Sequence, residues 1–217
     1  MRIVDLTLPA RKGKGRKVKE EVTEIKFELK RTFEEGEWQT SYISMLAHEG
    51  THVDAPLHFV KDGASIDQVP LERLIGRGVL VDLSYKFGKG EAITDKELET
   101  LGAEIGEGDI PVLRTDQTKK WGQPDFYMTS PYLTRGACEW LVNRKLKANV
   151  FDFSIDSLAL DPIHEILLSH NVYNIEYVTN LHKLTQRTFT IVALPLKLVG
   201  VEGAPARVIA IENDLSK

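Results

Sequence analysis

The eleven residues His48-Glu49-Gly50-Thr51-His52-Val53-Asp54-Ala55-Pro56-Leu57-His58 constrain this chain more than any other stretch. Three histidines and an aspartate fall at positions 48, 52, 54 and 58, all even. Side chains of an extended chain alternate faces, so one parity means one side. A straight strand would still hold His48 and His52 too far apart to share an ion. Gly50 lies between them and supplies the backbone freedom to bend there. Pro56 fixes the exit and keeps Ala55 extended. Imidazole with carboxylate is the ligand chemistry of zinc, manganese or iron(II). A lone histidine is ordinarily a surface or core residue, but four such groups of equal parity predict a metal-binding strand.

His48-Glu49-Gly50-Thr51-His52 also matches H-E-x-x-H, the helical zinc-protease motif with glutamate as base. That motif needs an uninterrupted helix. Gly50, Thr51 and Val53 are poor helix formers and Pro56 follows closely, so the match is read as accidental, with Glu49 turned away from the metal. Taken whole, His-x-Gly-Thr-His-x-Asp-x-Pro-x-His resembles the signature of the cyclase family of metal-dependent hydrolases, which includes kynurenine formamidases (arylformamidases) and isatin hydrolases.

The rest of the chain agrees with a small-molecule enzyme. Its 217 residues, 42% apolar, suit one globular domain over 1–217 with a substantial core. The net charge of −4 and pI near 5.9 invite neither nucleic acid nor an acidic membrane. The apolar run Ile3-Val4 is broken at Asp5, too short for a signal peptide, and no run reaches the length of a membrane span. Cys138 is the only cysteine, which excludes an internal disulfide and fits the cytoplasm; it reads as a small apolar residue in a helix. The basic segment Arg11–Lys17 lacks P-loop spacing and reads as a solvated loop.

Hydrophobic periodicity supplies the elements. Ile3 to Leu6 is a short strand. Alternation over Val22 to Leu29, a turn at Glu34–Glu37 and the run Trp38 to Ala47 predict a long hairpin that delivers the metal stretch. A short helix is expected around Leu71 to Ile75 and strands over Val79–Leu83, Ile110–Leu113, Asn149–Phe153, Val172–Tyr177, Phe189–Leu194 and Arg207–Ile211. Thr94 with Glu97 forms a capping box for a helix towards Leu101. A second helix runs from about Arg135 to Leu146, and Asp161-Pro162 predicts a third, with the aspartate as cap and the proline in the first turn. Strands mixed with helices predict one mixed-sheet α/β domain.

The resemblance adds what spacing alone leaves open. It implies that His164 and Glu176, twelve positions apart, complete a two-metal site: His48, His52, Asp54 and Glu176 around one ion, and Asp54, His164 and Glu176 around the second. It implies that His58 is the general acid/base and not a ligand. It implies hydrolysis of a non-peptide carbon–nitrogen bond in an aryl formamide such as N-formylkynurenine or in a cyclic amide, two divalent ions (zinc, with manganese the alternative), a swivelling β/β/α fold and a homodimer or higher homo-oligomer. Bridging carboxylates hold two ions about 4 Å apart, where a shared water ionises near neutral pH. Kynurenine formamidases carry near the N-terminus a tryptophan in a proline-glycine-aspartate context; here the basic loop takes its place and the first tryptophan is Trp38. Trp38, Phe59 and Trp121 are candidates for lining a substrate pocket, with core packing the alternative for each. His170 and His182 are read as surface or outlying residues. The rival from another class is a non-catalytic, metal-stabilised binding domain, which has no use for His58.

Overall fold

The computed structural model describes residues 1–13, 17–18, 21–22 and 24–213, so the basic segment 11–17 lies partly outside the described residues. Eight strands make the main sheet: β1 (Arg2–Asp5), β2 (His52–Asp54), β3 (Ile75–Asp82), β4 (Ile110–Arg114), β5 (Ala148–Phe151), β6 (Tyr173–Glu176), β7 (Thr188–Pro195) and β8 (Gly203–Glu212). Their order is β1-β8-β7-β3-β4-β5-β6-β2, and β2 pairs again with β8, so the sheet closes on itself like a barrel. The run β3-β4-β5-β6 is parallel, and the remaining pairings are antiparallel. Three helices make the crossovers of the parallel run: α1 (Asp95–Leu101), α2 (Arg135–Asn143) and α3 (Ile163–Ser169).

Alternation along the strands divides the core in two. Val53, Ile110, Val112, Val150, Ile175 and Ala204 belong to one buried cluster filling the closed sheet. Val79, Val81, Leu113 and Phe151 point the other way, into a second cluster with Leu98, Leu141 and Leu167 of the helices. Burying both faces explains why these parallel strands read as near-continuous apolar runs. Helix α1 starts on the expected capping box: Glu97 N–H donates to Thr94 Oγ1 at 3.3 Å, and Thr94 N–H to Glu97 Oε2 at 2.9 Å. In α2, Ala137, Cys138 and Leu141 form the buried stripe, and burial pushes the Cys138 thiol up to about 12, consistent with a packing role.

Several local expectations need correction. Around Leu71 to Ile75 the chain makes only a 3₁₀ turn, Leu71–Arg73, and Ile75 already opens β3. Strand pairing accounts for this: Ile75 lies opposite Val192 of β7, and Ala193 N–H donates to the Leu74 carbonyl at 3.1 Å. Asp161 does not cap α3, because its carboxylate meets Arg135 Nε at 3.0 Å. The hairpin is present, Lys26–Arg31 against Thr40–Ser44, but it stands off the closed sheet with Leu29, Tyr42 and Ile43 exposed. The metal stretch is not one strand. Only His52–Asp54 is extended within the sheet; Ala47 to Thr51 turns, with Gly50 at φ +63°, and Pro56–His58 is a 3₁₀ turn.

One buried carboxylate holds the loop after β4. Asp152 accepts from Thr115 N–H and Thr115 Oγ1–H, both at 2.7 Å, and from Asp116 N–H at 2.6 Å. Asp116 is thereby held at φ +64°, which launches the segment leading to Trp121. Asp152→Ala would leave these buried donors unsatisfied, a penalty of about 1–3 kcal/mol per group. A denaturant melt should show a loss of at least about 2 kcal/mol, and an unchanged midpoint would contradict this role.

Candidate metal centre

The site is assembled by β2, wedged between β6 and β8. Glu176 lies opposite His52 and Asn174 opposite Asp54; on the other side Gly203 lies opposite Asp54. Val53, Ile175 and Ala204 fill the barrel interior, so the alternate residues His52, Asp54, Glu176 and Gly203 share its outer face. Helix α3 places His164 over that face, beside the buried Leu167 and Leu168.

Donor atoms converge on Asp54, which is fully buried. Its Oδ1 lies 2.8 Å from His48 Nδ1 and 3.1 Å from His52 Nε2. His164 Nε2 lies 3.0 Å from Glu176 Oε1 and 3.6 Å from Asp54 Oδ2. Two sets of metal-type donors lie within 4.8 Å of one another: His52, Asp54 and Glu176, and His48, Asp54 and His58. The electrostatics match an ion site. Burial opposes charge on His52, yet the charges and hydrogen bonds of Asp54, with Glu176, outweigh it and raise the histidine pKa. His164 behaves likewise through Glu176 and Asp156. Burial alone would raise the Asp54 carboxyl, but His52, His48 and His164 hold it well below the usual carboxylate range. Asp54 Oδ2 is buried and accepts no hydrogen bond. Two buried carboxylates facing three imidazoles, with one carboxylate oxygen left over, fit divalent cations.

His58 reaches the same place from its 3₁₀ turn. Its ring stacks on His48 with centroids 3.9 Å apart, and Phe59 stacks on His164 at 4.6 Å. Burial lowers the His58 pKa to about 4, against the attraction of Asp54, so its ring is neutral at neutral pH. The protease motif is absent in structure: His48 to His52 turns through Gly50, so no helix puts the two rings on one face.

The structure therefore brings His48, His52, Asp54, His58, His164 and Glu176 together. Of the aromatic candidates, Phe59 is at the site and Trp121 packs on Tyr177, 4.8 Å between rings, while Tyr177 in turn packs on His52 at 5.6 Å. Trp38 is on the hairpin beneath the Arg31 guanidinium, 3.8 Å away. Trp121 and Met45 also line a cleft of about 840 Å³ that shares Glu49, Gly50 and Thr51 as one wall. His170 and His182 are exposed, away from the cluster.

Sequence reasoning missed Tyr177, Asp156 and Glu202. Tyr177 follows Glu176 with φ +53°, a conformation costing a bulky residue on the order of 1–3 kcal/mol, and its carbonyl accepts from Thr51 Oγ1 at 2.7 Å. Asp156 Oδ2 lies 3.0 Å from His164 Nδ1, and Glu202 Oε1 lies 3.1 Å from His48 Nε2. No local pattern marks any of the three.

Fold and site together define the class. A family model, Cyclase, matches residues 4–161, and the chain belongs to that family. It is an enzyme, a metal-dependent amidohydrolase. Kynurenine formamidase of Bacillus cereus is 27% identical over 183 residues, 81% of each chain. Isatin hydrolase of Roseibium aggregatum is 28% identical over 192 residues, 76% of this chain and 71% of the other. Among solved structures, isatin hydrolase A from Ralstonia solanacearum superposes with a TM-score of 0.85 at 26% identity, covering 97% of this chain and 92% of that one. A protein described as a potential metal-dependent hydrolase with cyclase activity superposes with a TM-score of 0.79 at 28% identity, 98% of each chain.

Proposed function

We propose that this chain hydrolyses a non-peptide carbon–nitrogen bond in a small molecule, an aryl formamide or a cyclic amide. The observation that carries the reading is the convergence of His48, His52, His164 and Glu176 on buried Asp54, with a neutral His58 beside them. His48, His52, Asp54 and Glu176 would hold one divalent ion and Asp54, His164 and Glu176 a second, zinc or manganese. When bound, such ions lower the pKa of a water and polarise a carbonyl oxygen. His58 keeps its lone pair, takes a proton from the attacking water and returns it to the departing nitrogen. Phe59, half exposed against His164, offers a face to a flat ring, and Trp121 in the adjoining cleft offers another.

The span 1–217 is read as one catalytic domain, since β1 from its start pairs with β8 from its end. Closed sheet and helices are read as the swivelling β/β/α type. Among the described residues no helix is long and apolar enough to cross a membrane, and with the lone thiol buried we place the enzyme in the cytoplasm. The exposed apolar hairpin, an element marginal in water by itself, supports a homodimer.

Purification without chelator, metal analysis and a panel of N-formylanilines, N-formylkynurenine and lactams test the reading. Turnover of an aryl formamide or a cyclic amide, abolished by chelation and restored by zinc or manganese, is expected. Full metal occupancy without turnover of any panel member would favour the non-catalytic binding domain.

A further inference from the structure

Each of the three proposed histidine ligands shows one ring nitrogen to the Asp54 cluster and the other to an outer oxygen. For His52 that outer partner is the Gly50 carbonyl, 2.8 Å from Nδ1. For His164 it is Asp156, whose Oδ2 forms an ion pair 3.0 Å from Nδ1 without the alignment of a hydrogen bond. For His48 the order is reversed: Nε2 faces Glu202 at 3.1 Å, and Nδ1 faces Asp54 at 2.8 Å. A neutral imidazole has one N–H and one lone pair, and a carbonyl or carboxylate oxygen only accepts. Asp54 and Glu176 also only accept, so it is an ion held between them and the rings that would take the inner lone pair and leave the hydrogen on the nitrogen facing outwards.

The His48 ring is also fixed sterically. Its Cε1 edge lies over Gly203, where a Cβ would come within 2.7 Å, and one face is covered by His58. Only a residue without a side chain at 203 leaves room for the ring beside Glu202. Glu202 and Gly203 thus form one cradle, at the head of β8, for a histidine 154 positions earlier in the chain.

Resting on the ligand assignment above, we propose that Glu202 and Asp156 are positioning residues that set the tautomers of His48 and His164. His48 then ligates through Nδ1, while His52 and His164 ligate through Nε2. A carboxylate accepting the outer N–H orients the ring and raises its basicity, and losing such a partner typically costs 10–100-fold in metal affinity.

The test uses the full chain loaded with zinc alone. Long-range ¹H–¹⁵N spectra of histidine-labelled protein should show zinc-shifted Nδ1 for His48 and zinc-shifted Nε2 for His52 and His164. Glu202→Ala and Asp156→Ala should each weaken zinc about 10–100-fold, while the melting temperature in chelator stays that of the parent. Glu202→Gln keeps an accepting oxygen and should recover most of the affinity. A zinc-shifted Nε2 on His48, or parental zinc affinity in Glu202→Ala, would overturn the proposal while leaving the ligand set intact. Absence of zinc shifts at all three histidines would overturn the ligand set, and this inference with it.

Discussion

Glu176→Ala should empty at least one metal position and abolish most turnover. Glu176 ends β6 and is almost wholly buried. The antiparallel register with β2 sets it opposite His52, and its Oε1 approaches His164 Nε2 at 3.0 Å. With Asp54 it is one of the two carboxylates that both proposed ion positions share, so its removal takes a ligand from each. An ion that binds only the folded state stabilises it by about 2.7 kcal/mol at a hundred times its Kd. The difference in melting temperature between metal-loaded and chelated protein should therefore shrink in the variant. Metal analysis and paired melts check this; two ions per chain in Glu176→Ala would remove Glu176 from the ligand set.

His58→Ala should separate chemistry from metal binding. The residue shares its parity with His52 and Asp54, but Pro56 ends the strand and starts the 3₁₀ turn that carries His58 back onto the His48 ring. Its neutral ring is suited to shuttling a proton, whereas a lone pair donated to an ion is lost to that task. Turnover should fall roughly 10²–10⁴-fold, the usual worth of a positioned acid/base, with metal content and melting temperature close to the parent. His48, Asp54 and His58 are also near enough to form a ligand triplet, so the alternative outcome is definite. Metal lost in step with activity would make His58 a ligand, and unchanged turnover would make it a bystander.

What the sequence determined by itself is local. Gly50 and Pro56 mark the two bends on either side of His52–Asp54, because φ +63° favours glycine and a proline ring halts a strand. The Thr94–Glu97 box was equally legible, since its partners lie three residues apart. His164 and Glu176 were found only through the family resemblance; as single residues on a helix and a strand end they carry no local signal.

Tertiary structure decided the rest. Parity tells which side a residue faces, not how far apart two faces come, so the turn at His48 and the 3₁₀ turn at His58 emerged only with the closed sheet. The start of β3 depended on the pairing of Ile75 with Val192 of β7, and the absence of an Asp161 cap on Arg135 from another helix. Glu202 and Asp156 stand beside His48 and His164 because β8 closes the barrel against β2 and because α3 follows the loop after β5. A contact such as that of His48 with Glu202, 154 positions apart, leaves no periodic trace in the chain, because it is chosen by the packing of the whole sheet.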